Sequence, residues 1–341
     1  MSTNARSYLG LLCLIMPLAF YFAIYIPKLH SFAVPTPLSS EPYVFADDPD
    51  CSPDKGHPGL EATREELPRT ERKLRAMELN DRSRFAIAGS FMELFSIIGI
   101  FYSLYIIVRP GIAKLFIFSA TIILAIAICS GYLLYRDTGM RVLIANDIFT
   151  QAIAKGSINK GAIELANTAV GSNLAFGTLC TVAILVALAA ASSHSSESPS
   201  AFRRRLREIR LLSIPAALVL ALTVVATKAH IGWATDLLCP DQASDLAAAG
   251  ASLANYWGAG ASGVLVAALL PAFALWVYDV RSFVGERMSG ATFQEQSKFL
   301  DDERLQFLPL TALVSLGVAL TPALTGPVLD IVKELMPRVV L

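Results

Sequence analysis

Glu93 is the residue of this chain best placed to do chemistry, because it is an acid inside an apolar run, Phe91-Met92-Glu93-Leu94-Phe95. An ionised carboxylate in hydrocarbon is costly unless it is paired, hydrated or protonated. Lys228 and His230 lie late in a second apolar run and Asn173 lies in a third. A lysine stem reaches several ångströms, which allows a Glu93–Lys228 pair. The pair has two readings. In one, Glu93 titrates along a path for a proton or small solute. In the other, the charges hold two helices in register or Lys228 snorkels to the headgroups, while Asn173 makes an interhelical hydrogen bond.

No other constellation in the chain has the spacing of an active site. Walker A, HExxH, CxxC and GxSxG patterns are missing, and His30, His57, His194 and His230 are scattered without metal-ligand spacing. The run Gly258-Ala259-Gly260-Ala261-Ser262-Gly263 matches GxGxxG, but it opens an apolar helix where a βαβ unit would be required. Ala259, Gly263 and Ala267, spaced by four, read instead as a helix-packing face, as do Gly171 and Ala175. The acidic runs at 47–50 and 301–303 read as solvated surface. These readings point to no enzyme, no cofactor and no metal.

The elements that carry these residues are membrane helices. Seven stretches are long and apolar: Leu9–Ile26, Phe85–Val108, Ile112–Tyr135, Gly171–Ala191, Leu211–Ile231, Tyr256–Val277 and Leu308–Leu324. About 20 apolar residues at about 1.5 Å each cover a hydrocarbon core of about 30 Å. The composition agrees, with 54% hydrophobic and 16% charged residues and no net charge, which also argues against nucleic-acid binding. The expected fold is an all-α integral membrane bundle of about seven transmembrane helices. Residues 1–26 form an uncleaved anchor helix, 27–84 an extramembrane loop and 85–341 the polytopic bundle.

The loops supply orientation. Arg203, Arg204, Arg205, Arg207 and Arg210 crowd the fourth loop, whereas the fifth, 232–255, holds Asp236, Asp241 and Asp245 and no Lys or Arg. The positive-inside rule then sets the N-terminus in the cytoplasm of a bacterial plasma (inner) membrane. The basic residues of 69–84 and of the third loop argue the other way. Arg203, Arg204, Arg205 and Arg207 read as a run that contacts anionic lipid. Cys51 and Cys239 lie in polar loops that share the outer face in this arrangement, which predicts a disulfide between them.

Residues 61–84 read as a charged helix continuing into the second span, with Thr63 and Glu66 at capping-box spacing and Pro68 able to open a first turn. Short interfacial helices are expected in the third loop, over Val142–Ala154, and in the sixth, where Thr292 and Glu295 have capping-box spacing. With so few polar groups inside the membrane, the expected function is non-catalytic: a scaffold, regulator or anchor for a protein partner engaged through 61–84. The alternative is an ion, proton or small-solute channel or transporter with Glu93 in its path.

Overall fold

The computed structural model describes residues 9–21, 43–45, 51, 67–108, 143–156, 158, 160–193, 198–305 and 320–325. These residues are almost entirely helical, and their one β-type pairing is an isolated antiparallel bridge between Phe45 and Leu238. The helices are α1 Leu12–Ala19, α2 Leu67–Ile107, α3 Leu143–Lys155, α4 Lys160–Ser193, α5 Pro199–Thr235, α6 Pro240–Arg287 and α7 Phe293–Asp302. Residues 320–325 add a helical turn. Four of the helices are long and apolar enough to cross a membrane, over Leu79–Ile107, Asn167–Ser193, Pro199–Thr235 and Gln242–Arg287. The chain is a membrane protein.

Caps rather than hydropathy set the helix ends. Ser198 accepts the Ala201 N–H at 3.3 Å and Pro199 opens α5, a favourable use of a residue with no N–H to lose. Pro240 opens α6 in the same way, and Thr292 with Glu295 makes a reciprocal capping box on α7. The helices therefore overrun the hydropathy-defined spans. The arginines of 203–210, expected in a loop, are helical, as is most of 232–255, because α5 and α6 are separated only by residues 236–239. Pro68 sits in the first turn of α2, which runs unbroken for 41 residues. The expected third span, the Thr63 and Glu66 cap and most of the seventh span lie outside the described residues.

Contacts fix the direction of each helix. α2 and α5 are antiparallel: Asp81 lies against Gly232, Phe85 stacks near His230, and Gly99 packs on Pro215. α2 and α4 run the same way, since Gly89 meets Asn173 and Gly99 meets Cys180. α6 returns against α5, with Gly250 on Ile231 at one end and Trp276 Nε1 donating to the Phe202 carbonyl at 2.9 Å at the other. α1 starts beside the end of α4, where Gly10 meets Ala189, and rises to set the Phe20 ring on Gly263.

The bundle thus has an arginine end and a disulfide end. The central core is built from α1, α2, α4, α5 and α6, including Leu14, Ile184, Leu188, Leu212 and Ala268. A second cluster, with Phe45, Phe85, Phe149, Trp233 and Leu238, closes the disulfide end. A third, with Phe202, Trp276, Val280 and Leu305, closes the arginine end. The apolar face of α3 differs from a purely interfacial one: Ile148, Phe149 and Ala152 are buried in the second cluster, against protein. On α7 Phe293 is exposed, while Leu300 leans on the third cluster.

Candidate functional site

The helix directions decide which polar side chains meet. Glu93 is half-buried on α2 and turns toward α4, where the Ser172 hydroxyl donates to its Oε1 at 2.6 Å. Asn173, the next residue, is buried against Gly89, and its Oδ1 accepts no hydrogen bond. The sequence gives both residues as polar but not the direction that each one faces. Glu93, Ser172 and Asn173 form one small polar seam between α2 and α4.

Lys228 is not part of that seam. The ion pairs among the described residues do not include Glu93 with Lys228. The α2–α5 register explains this: Phe85 is level with His230 and Met92 with Thr223, so Lys228 is level with residues near 87. That is about six residues, roughly 9 Å, from the level of Glu93. The register of one helix against the other sets the two side chains apart, and it cannot be read from the hydropathy of either helix alone.

His230 also lies elsewhere, buried among aromatic rings. Its ring centroid is 5.1 Å from that of Phe85, 5.4 Å from Phe149 and 6.4 Å from Trp233. The Arg82 guanidinium lies 5.7 Å from the Trp233 ring centroid, a cation–π distance. Above this cluster the Cys51–Cys239 disulfide joins Cα atoms 5.6 Å apart. Residues 43–45 are held there by the Cys239 N–H donating to the Val44 carbonyl at 2.9 Å and the Val44 N–H donating to Gln242 Oε1 at 2.9 Å. Lys155 of α3 adds a donor to the Tyr43 carbonyl at 3.3 Å.

The most deeply buried ion pair among the described residues is one that sequence reasoning missed. Arg205 Nη1 contacts Asp279 Oδ2 at 2.5 Å, and Nη2 donates to the Ser192 carbonyl at 2.9 Å. The Cys13 thiol donates to the Ser192 hydroxyl at 3.5 Å, which brings α1 into the same network. Arg205 therefore does not contact lipid headgroups, and its place in the basic run is corrected. The signal was present: Phe202, Arg205, Leu206, Ile209 and Leu212 recur at helical spacing, and all are buried on one face of α5. Asp279 sits between Trp276 and Val280 on the matching stripe of α6. The other members of the run face outward. Arg203 pairs with Glu303 at 3.6 Å, Arg204 with Glu208 at 3.7 Å, and Arg207 is exposed.

Of the small-residue faces, only part packs as expected. Gly263 gives its side-chain space to the Phe20 ring, where a Cβ would overlap the aromatic carbons. Gly171 has nothing within 4 Å of where a Cβ would stand, and Ala175 and Ala259 are exposed, with Ala267 half-buried. Gly171 and Ala175 therefore mark no helix contact among the described residues. No three His, Cys, Asp or Glu side chains converge as a metal site among the described residues. No family, curated protein or solved structure matches this chain.

Proposed function

We propose that the protein is a polytopic inner-membrane scaffold or anchor that does no chemistry of its own and holds a protein partner at its disulfide end. The observation that carries this reading is the length of α2. It meets the end of α5 where Asp81 lies on Gly232, and it begins at Leu67, fourteen residues earlier. A continuous helix of that length projects about 21 Å past the contact. Its sequence there, Arg69 to Arg75, is densely charged, and Leu79 at its base is 61% exposed. Such a rigid arm engages a partner without the entropy cost of ordering a loop.

The N-terminal helix starts at the arginine end, which favours a cytoplasmic N-terminus under the positive-inside rule.

A photo-crosslinking residue at Leu79 tests the arm. The reading expects a discrete protein adduct there that charge reversal of Arg72 and Arg75 weakens, and no adduct at exposed Phe293. Adducts to lipid alone at Leu79 would sink it. The second reading, a proton or solute path through Glu93, is favoured by one observation, the Ser172–Glu93 hydrogen bond beside the unsatisfied Asn173 carbonyl.

A further inference from the structure

At the arginine end, α5 and the turn after α7 enclose an open groove of about 790 Å³ lined by Arg203, Arg204, Arg207, Arg210, Leu211 and Arg304. Two of these guanidiniums are already engaged, Arg203 by Glu303 and Arg204 by Glu208. Arg207, Arg210 and Arg304 form no ion pair among the described residues. Arg304 reaches the groove through backbone geometry that residues other than glycine rarely adopt, a φ of 51°. That turn ends α7, with Leu305 N–H on the Leu300 carbonyl at 2.7 Å, and buries Leu305 in the arginine-end cluster.

The outward face of α5 changes character along its length. Arg203, Arg204, Arg207, Leu211 and Ile214 are exposed at three- and four-residue steps, so a cationic stripe becomes an apolar one at Leu211. Leu211 is also where the hydropathy-defined span begins.

We propose that this groove binds a phosphate-bearing anion, seated as the headgroup of an anionic phospholipid whose acyl chain lies along Leu211 and Ile214. Guanidinium forks suit phosphate oxygens, and three of them are in no ion pair among the described residues. The site is independent of the partner-holding reading. It differs from a general basic surface in depending on Arg210 and Arg304 and in excluding buried Arg205.

The test uses the full-length protein, delipidated in neutral detergent, with lipid retention counted by native mass spectrometry. The probes are phosphatidylglycerol, phosphatidylcholine of the same chains, and inorganic phosphate. Each arginine near a membrane surface contributes about fivefold to anionic-lipid affinity, so R207Q/R210Q/R304Q lowers phosphatidylglycerol affinity on the order of a hundredfold. A charge-matched control, R281Q/R287Q/K298Q, keeps it. Displacement of the lipid by millimolar phosphate supports the anion site and assigns its occupant to a soluble phosphate. Equal retention of the two lipids, or equal loss in the two triple variants, overturns the proposal.

Discussion

Replacing Asp279 by alanine removes the counter-charge of the most deeply buried cation among the described ion pairs. Arg205 and Asp279 are 3% and 5% exposed and 2.5 Å apart, so neither charge is screened by bulk water. Breaking one side of such a pair costs about 3–5 kcal/mol, because the remaining charge stays buried without its partner. The hydrogen bond from Arg205 to the Ser192 carbonyl keeps the guanidinium in place but does not neutralise it. Removing both charges together, as Arg205→Met with Asp279→Leu, leaves no orphan, and such replacements are often neutral or stabilising by about 1–4 kcal/mol. The pair's coupling in a double-mutant cycle should therefore exceed about 2 kcal/mol. The assay is reversible unfolding in mixed micelles followed by tryptophan fluorescence, with Trp276 bonded to the Phe202 carbonyl close by. Arg203→Ala is the control, since its pair with Glu303 is 46% and 34% exposed and such pairs contribute about 0–1 kcal/mol. An Asp279→Ala cost under about 1 kcal/mol, or single-mutant effects that simply add, would refute the clamp.

Three further outcomes follow from particular contacts. Cys239→Ser opens a link between residues 188 apart in sequence and should lower stability by about 2–4 kcal/mol, read as a fall in the unfolding midpoint that a reductant reproduces in the wild type. Gly263→Leu drives a side chain into the Phe20 ring and should cost about 1–3 kcal/mol or more, whereas Gly171→Ala meets open space and should not destabilise. The carboxyl of Glu295 is held below its usual pKa by the Thr292 backbone N–H and then by the Thr292 hydroxyl. Its contribution to α7 is therefore present above the ordinary glutamate range and lost as pH falls through the depressed value, so proteolysis within 293–302 should accelerate on acidification, and Glu295→Gln should flatten that dependence.

The helical, membrane-spanning character was legible because apolar runs such as 171–191 and 211–231 leave little choice of solvent. Helix ends were less so, since hydropathy falls where a helix leaves lipid, not where Ser198 or Pro240 begins it. Cys51 and Cys239 are readable as partners because they alone among the cysteines sit in polar sequence. Arg205 was misassigned because counting arginines by loop ignores which face of α5 each one occupies. Its spacing with Phe202 and Ile209 held the answer. Glu93 is legible from its setting, but its partner is not: the α2–α5 register holds Lys228 away from the level of Glu93, and Ser172 of α4 is the donor instead. Asp279 escaped notice because it lies just past an apolar run, where an acid looks like a solvated helix end.

The central claim, that the few polar groups inside this bundle hold it together rather than conduct, is tested most directly by ion and proton flux. Proteoliposomes holding the wild-type protein are compared with Glu93→Gln under an imposed pH and potential gradient. The account predicts tight vesicles from both, with equal leak and intact folding. Wild-type leak that falls in Glu93→Gln would contradict it and make the Glu93–Ser172–Asn173 seam a pathway.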